Sequence, residues 1–502
     1  MSDSGPLLSP PCGPVRGWWD GDVQRATGIR YARAERFAPP VPEPDHTGTV
    51  DATAWSPACP QPPVPLLTEV LGEPDRELGA DEHCQRLSVT MPAGVGPTDR
   101  LPVMVWIHGG SYTSGAADLA VMDPRSLVAE QRVIVVAVTY RLGLFGFLGN
   151  GDGGGGGGDH EREGDCDRDG RRPANLGLLD LIEAFRWVRR NIAAFGGDPD
   201  SVTAFGQSAG GDAIAYLLAT EDPSTLFDRA IIQSAPLGLA RGRGPMSAAM
   251  ARAAGHVPAD APVEDVLAAQ DRAARIAMPR YGMPSAMPFA PQTGHPPLPP
   301  EDELDAAHAR SASVPLLIGT TAEEAALFLP RFRRVDALSR SRLGRPVRRR
   351  LIDRFTRLIY DEATDALAQG RAEAGGIVHR YVLTWSAPGN PYGSAHTIDL
   401  PLLFGDRATW KGIPLVDGAR WEEIEQAGRR VRAVWATFAR GEDLGEQGEL
   451  LGVLRWQRVR SVDGAIPSTP AAAADTGAGP DPGPGPGPIA PARRSRGNVT
   501  SP

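Results

Sequence analysis

Lysine is almost absent from this sequence: among 52 basic residues Lys411 is the single lysine and the others are arginines. Together with abundant alanine and glycine, this reads as a high-GC coding bias and carries no chemical information. Cysteine is scarce too, four in 502 residues, too few for a disulfide scaffold. No segment approaches 18 unbroken apolar residues, roughly the length a spanning helix needs, so no membrane span is expected. Positive charge is in deficit, with 52 Lys and Arg against 61 Asp and Glu and a net charge of -9. Without an overall positive field to draw in phosphates, the charge argues against a general nucleic-acid binder and for a small or neutral ligand. Residues 1–19 show neither the basic stretch nor the apolar core of an export signal, which makes a cytoplasmic, reducing compartment the expectation.

What the chain does hold is a globular share of apolar and charged residues, 41% and 23%, enough for a sizeable core. Its 59 glycines and 49 prolines exceed average usage, and much of the excess falls in two places. Residues 149–173 form a Gly- and Asp-rich run that cannot bury apolar surface and are expected to be a long flexible loop inserted into a folded domain. From about Val462 the chain turns Ala-, Gly- and Pro-rich with no apolar periodicity, so 463–502 is expected to be a disordered tail behind a domain spanning 1–462. No repeat with a period of 20 to 50 residues, the mark of solenoids, is present.

Elsewhere short apolar runs alternate with helical patterns. Residues 103–107, 133–138, 202–205, 230–232 and 314–318 read as strands buried on both faces, and 178–195 and 210–219 carry apolar residues at helical spacing. This alternation predicts an α/β fold with a mostly parallel central sheet covered by helices. A second helical block, 247–274 and 347–374, is expected to cap one end of the sheet.

Two glycine-rich strand exits carry the chemistry. Gly206-Gln207-Ser208-Ala209-Gly210 follows one predicted strand and opens a helix. A serine on so sharp a turn needs small neighbours, and the helix N-terminus beneath it offers N–H groups to a developing oxyanion. His108-Gly109-Gly110-Ser111-Tyr112 follows the strand at 103–107, where a second set of oxyanion donors belongs. A base and an acid are then required after Ser208; His295, His308, His379 and His396 lie downstream of the helical block's start, apart from His256 within it.

These segments, with Thr27-Gly28-Ile29-Arg30-Tyr31, Asp81-Glu82-His83-Cys84, the run Thr139 to Leu148, Asn175-Leu176-Gly177 and Phe195-Gly196-Gly197-Asp198-Pro199, resemble the type-B carboxylesterases of the cholinesterase-like α/β-hydrolases from about residue 17 to 440. The resemblance implies an α/β-hydrolase fold and a serine esterase with the triad Ser208, Glu324 and His396, Glu323 being the nearest rival to Glu324. It places the oxyanion hole at Gly109, Gly110, Ser111 and Ala209. It implies no metal and no cofactor, a small-molecule ester as substrate, and a monomer or small homo-oligomer. It also pairs Arg36 with Glu82 and Arg141 with Asp180 as structural ion pairs, and sets Cys59 beside Cys84, expected to be reduced.

Three residues depart from the family's pattern. Gln207 stands where Glu is usual, which removes a charge that would attract cationic alcohols. Ser111 replaces a smaller residue in the oxyanion loop, which disfavours esters of bulky tertiary alcohols. Asp212 replaces a small residue and is expected to sit favourably in the first turn of the helix after Ser208, the alternative being that it disturbs the site. Residues 165–170 copy half of a calcium loop but lack its bidentate Glu, Leu176 taking that place; 331–357 reads as a solvated basic helix face. The rival readings are a catalytically silent binding protein on the same fold, against which the retained Ser208, His396 and acid argue, and a carbamate or amide hydrolase using the same residues.

Overall fold

Strands buried on both faces make the centre of this computed structural model, which describes residues 5–72, 78–150, 172–278, 280–328 and 344–461. Eleven strands form one sheet: β1 (Trp18–Asp20), β2 (Val23–Arg30), β3 (Arg86–Pro92), β4 (Leu101–Ile107), β5 (Ile134–Thr139), β6 (Gly197–Gln207), β7 (Arg229–Gln233), β8 (Leu316–Thr321), β9 (Val378–Leu383), β10 (Gln447–Leu450) and β11 (Leu454–Arg458). Their order is β10-β11-β9-β8-β7-β6-β4-β5-β3-β2-β1. From β5 to β9 the neighbours run parallel, and both flanks are antiparallel.

The longer helices are α1 (Leu176–Asn191), α2 (Ala209–Leu218), α3 (Gly244–Ala254), α4 (Val263–Ala277), α5 (Gly344–Thr356), α6 (Glu362–Glu373) and α7 (Trp421–Ala439), of which α1, α2, α6 and α7 pack on strands of the sheet. In β4, Val103, Val105 and Ile107 join the core that holds Leu181 and Phe185 of α1. Met104 and Trp106 point the other way and pack with Val431 and Trp435 of α7. A period of two with both faces covered leaves no polar position, which is why the segment reads as a continuous apolar run.

The expected strands are found within a few residues of their predicted limits. The helix expected at 178–195 ends earlier: α1 passes at Ile192 into a 3-10 turn that stops at Gly196, φ 84°. The helical block expected at 247–274 is two helices, because Gly255 (φ 69°), Pro258 and Pro262 interrupt it. The 347–374 block runs from α5 through a π-helical turn at Arg357–Asp361 into α6. α5 packs against the turn Glu324–Leu327, where Ala325 N–H donates to Thr356 Oγ1 at 3.1 Å.

The ends of the inserted segment meet, with Asn150 N–H bonded to Arg172 O at 3.1 Å, while 151–171 lie outside the described residues, as do the calcium-like residues 165–170, residues 331–343 of the basic stretch and the segment 463–502. Arg141 pairs with Asp180 through two 2.8 Å contacts, and Arg36 pairs with Glu82. Cys59 and Cys84 are buried free thiols; burial, with Cys59 as hydrogen-bond neighbour, pushes the Cys84 thiol well up.

Candidate active site

β4 is the strand at which the sheet order reverses, since the chain leaves it for β5 on one side and reaches β6 on the other. Such a switch point opens a crevice beyond the carboxyl ends of the strands, and both glycine-rich exits face it. Ser208 follows β6 with φ 57° and ψ -124°, a conformation that costs a non-glycine residue on the order of 1–3 kcal/mol. It is held by its N–H to Gln233 O at 2.8 Å and by Asp212 N–H to Ser208 O at 2.9 Å. A Cβ at Gly210 would lie 2.0 Å from Ile107 O, and one at Gly206 would lie 2.8 Å from the same oxygen. The two glycines therefore let strand and helix close on each other.

The loop after β4 turns through three consecutive left-handed residues, Gly110 (φ 117°), Ser111 (56°) and Tyr112 (59°). Several contacts hold it: Tyr140 OH to His108 O at 2.8 Å, Gly143 N–H to Tyr112 O at 2.6 Å, and Gln61, whose amide both accepts from Gly115 N–H at 2.7 Å and donates to Gly115 O at 2.9 Å. Among the described residues the N–H groups of Gly110, Ser111 and Ala209 find no backbone acceptor, which leaves them free for a ligand oxygen. Gly109 closes on the elbow, where a Cβ would meet Gln207 O at 2.7 Å and Ser208 Cβ at 3.0 Å.

His396 lies on the loop after β9, its Nδ1 at 2.6 Å from Glu324 Oε2. Glu324 is fully buried and its other oxygen accepts Thr321 N–H at 2.6 Å. Glu323 instead accepts Ser394 N–H at 3.0 Å and lies 3.8 Å from Arg349, so it supports the loop that carries the imidazole without touching the ring. The ring of His396 packs between Phe328 and Tyr360, centroids at 5.4 and 5.3 Å. Two of the remaining candidates serve the backbone elsewhere: His308 is bonded to Ala215 O at 2.9 Å and pushed down to about 4 by burial, and His379 is bonded to Gly445 O at 3.0 Å. His295 lines a different cavity, beside Arg243.

Residues 5–373 match the Carboxylesterase family. The chain belongs to that family. It is 39% identical over 442 residues to a probable N-octanoylanthranilate hydrolase of Rhodococcus erythropolis, covering 86% of this chain and 92% of that protein. To the para-nitrobenzyl esterase of Bacillus subtilis strain 168 it is 34% identical over 461 residues, covering 85% and 88%. The solved structure of a thermophilic PNB esterase matches with a TM-score of 0.68 at 30% identity, over 86% of this chain and 90% of that one. The fold is that of the α/β hydrolases and the activity is hydrolysis of carboxylic esters.

In this carboxylesterase Ser208, His396, Gly109, Gly110 and Ser111 line one cavity of about 680 Å3, whose remaining wall is largely apolar and includes Leu119, Met122, Leu327, Phe328 and Leu400. None of the described residues lining it is Asp, Glu, Lys or Arg. Among the described residues no helix is long and apolar enough to cross a membrane, and no group of His, Cys, Asp and Glu could hold a metal ion.

Sequence reasoning passed over three contacts of the site. Gln207 Nε2 stands 3.2 Å from His396 Nε2; with Nδ1–H directed at Glu324, Nε2 accepts from the amide. Asp212 sits in the first turn of α2 as expected, but its carboxylate is fully buried against Tyr112 OH at 2.7 Å, and burial pushes it up to about 6. Asp399, three residues after His396, accepts Gln233 Nε2–H at 2.5 Å, and burial raises it to about 6 as well. No periodicity or spacing marks such contacts, because each joins segments far apart in the chain.

Proposed function

We propose that this carboxylesterase works by covalent acyl transfer through Ser208, His396 and Glu324. The observation that carries this reading is the 2.6 Å contact between the buried Glu324 and Nδ1 of His396, a residue that lines the same cavity as Ser208. Ser208 Oγ attacks the ester carbonyl carbon while His396 Nε2 takes its proton, the imidazole exchanging the Gln207 amide for the serine as the substrate seats. Glu324 holds the tautomer with Nδ1 protonated and stabilises the imidazolium. The carbonyl electrons move to oxygen, which the N–H groups of Gly110, Ser111 and Ala209 receive, each lowering the barrier by about 3 kcal/mol. The intermediate collapses, the alcohol leaves with the proton from His396, and the acyl group stays on Ser208. Water then attacks with His396 as base, and the carboxylic acid departs.

Among the described residues the wall is largely apolar and carries no charged side chain, which favours uncharged esters with an apolar acyl group, since a charged substrate would lose hydration there without gaining a partner. A second reading, hydrolysis of N-acyl amides by the same residues, is favoured by the 39% identity to a protein named as an N-octanoylanthranilate hydrolase. Para-nitrophenyl esters of graded acyl length and an N-acyl anilide, each assayed with wild type and Ser208→Ala beside fluorophosphonate labelling, decide these points. Turnover and labelling should disappear together in Ser208→Ala; turnover that persists would end the acyl-enzyme reading. Anilide hydrolysis at a rate comparable with the ester would establish the amide reading.

A further inference from the structure

The donors assigned to the oxyanion hole come from two separate segments, Gly110 and Ser111 from the loop after β4 and Ala209 from the start of α2. A tetrahedral oxyanion is held only if these N–H groups converge, and a misplacement of about 1 Å can cost a hundredfold in rate. Something must therefore fix the loop against the helix. Tyr112 follows Ser111 directly, and Asp212 lies one turn beyond Ala209 on α2. Their side chains meet at 2.7 Å, Tyr112 OH donating to Asp212 Oδ2.

We propose that Tyr112 and Asp212 are positioning residues whose hydrogen bond sets the spacing between the two halves of the oxyanion hole. The proposal rests on the acyl-transfer reading of Ser208. Two features make the contact a strut. Among the described residues the Asp212 carboxylate has no other hydrogen-bond partner, its Oδ1 being buried and bare, so a shift of the loop would strip its one bond from a buried anion. Tyr112 also holds a left-handed backbone (φ 59°) next to Ser111 (φ 56°), a strained pair that persists only where its surroundings impose it.

The charged and titratable groups around Asp212 do not replace Tyr112. Tyr140 is spent on His108 O and Tyr216 on Ala240 O. Arg243 lowers the Asp212 pKa by its charge but donates to the Leu239, Met287 and Pro288 carbonyls.

Tyr112→Phe removes only the hydroxyl, because the ring still packs on Phe147 at a centroid distance of 4.5 Å. The variant is expected to lose about tenfold or more in kcat with KM little changed, since the contact acts where charge develops. A trifluoromethyl ketone, which adds to Ser208 to form an oxyanion, should weaken by the same factor. Asp212→Asn keeps an acceptor for the tyrosine and should stay closer to wild type than Asp212→Ala. The double variant Tyr112→Phe with Asp212→Ala should be no worse than Asp212→Ala alone. Wild-type kcat and ketone affinity in Tyr112→Phe, additive losses in the double variant, or an Asp212→Asn as impaired as Asp212→Ala would each overturn the proposal. Ser208→Ala in the same assays separates the two claims: if it is inert while Tyr112→Phe is wild type, only the strut fails, and if it turns over, the acyl-transfer reading fails.

Discussion

The side chain beside the serine decides what the imidazole meets. Gln207 offers His396 Nε2 a neutral amide at 3.2 Å, which holds the ring's lone pair without a charge until the serine takes its place. A carboxylate at that position would stabilise the imidazolium instead, and the base would lose its neutral form at a higher pH. Gln207→Glu is therefore expected to move the acid limb of the kcat/KM profile upward, and to raise the relative rate on esters of cationic alcohols. An unmoved limb would show that Gln207 is not in contact with His396 in the working enzyme. At this scale the motifs exposed Ser208, because strand, turn and helix are adjacent in the chain. They did not expose the base, as four downstream histidines satisfied the residues alone. The family resemblance selected His396 and Glu324, and the backbone then places Glu323 on Ser394 and Glu324 on the ring.

Among elements, the elbow depends on how closely β4 and α2 approach. A Cβ on Gly210 would lie 2.0 Å from Ile107 O and 2.7 Å from Ile107 C, backbone atoms in the middle of the sheet that cannot yield cheaply. Gly210→Ala is expected to destabilise by about 3 kcal/mol or more, seen as a large drop in melting temperature or in soluble yield. Gly370→Ala, in α6 with open space around it, should instead be neutral or slightly stabilising, and equal losses in both would remove the close-approach argument. Five of the six parallel strands were legible because burial on both faces leaves apolar runs, whereas β9 (Val378–Leu383) was missed because His379 and Arg380 break its run. The antiparallel flank was not, since β2 (Val23–Arg30) buries polar residues. Its Arg25 lies between Asp20 and Asp123 at 2.8 and 2.7 Å and under Trp18 and Trp55, and such pairing hides a strand from any apolar pattern.

At the scale of the whole molecule, two buried carboxyls couple stability to pH. Burial raises Asp212 and Asp399 to about 6, above the roughly 3.9 of an unfolded aspartate. Between about pH 4 and pH 6 the folded chain keeps protons that the unfolded chain has released, so stability falls as pH rises through this window and stays lower above it. Asp399→Asn keeps an acceptor for Gln233 while removing the titration. Its melting temperature should exceed that of wild type by a few degrees at pH 8, the order expected from a two-unit shift, and should match it near pH 4. A difference independent of pH would show that Asp399 is not held up by burial.

The sequence by itself determined five of the central parallel strands and the strand-turn-helix around Ser208, because each is written in contiguous residues whose spacing obeys local geometry, while the hydrolase class came from the family resemblance of those segments. Only the tertiary structure decided what those residues touch. Tyr112 and Asp212 are separated by 100 positions and Gln207 and His396 by 189, and they meet because the strand order brings the exits of β4, β6 and β9 to one edge of the sheet. A side chain's partner, and with it the burial that sets its charge, depends on that order, which no local pattern encodes.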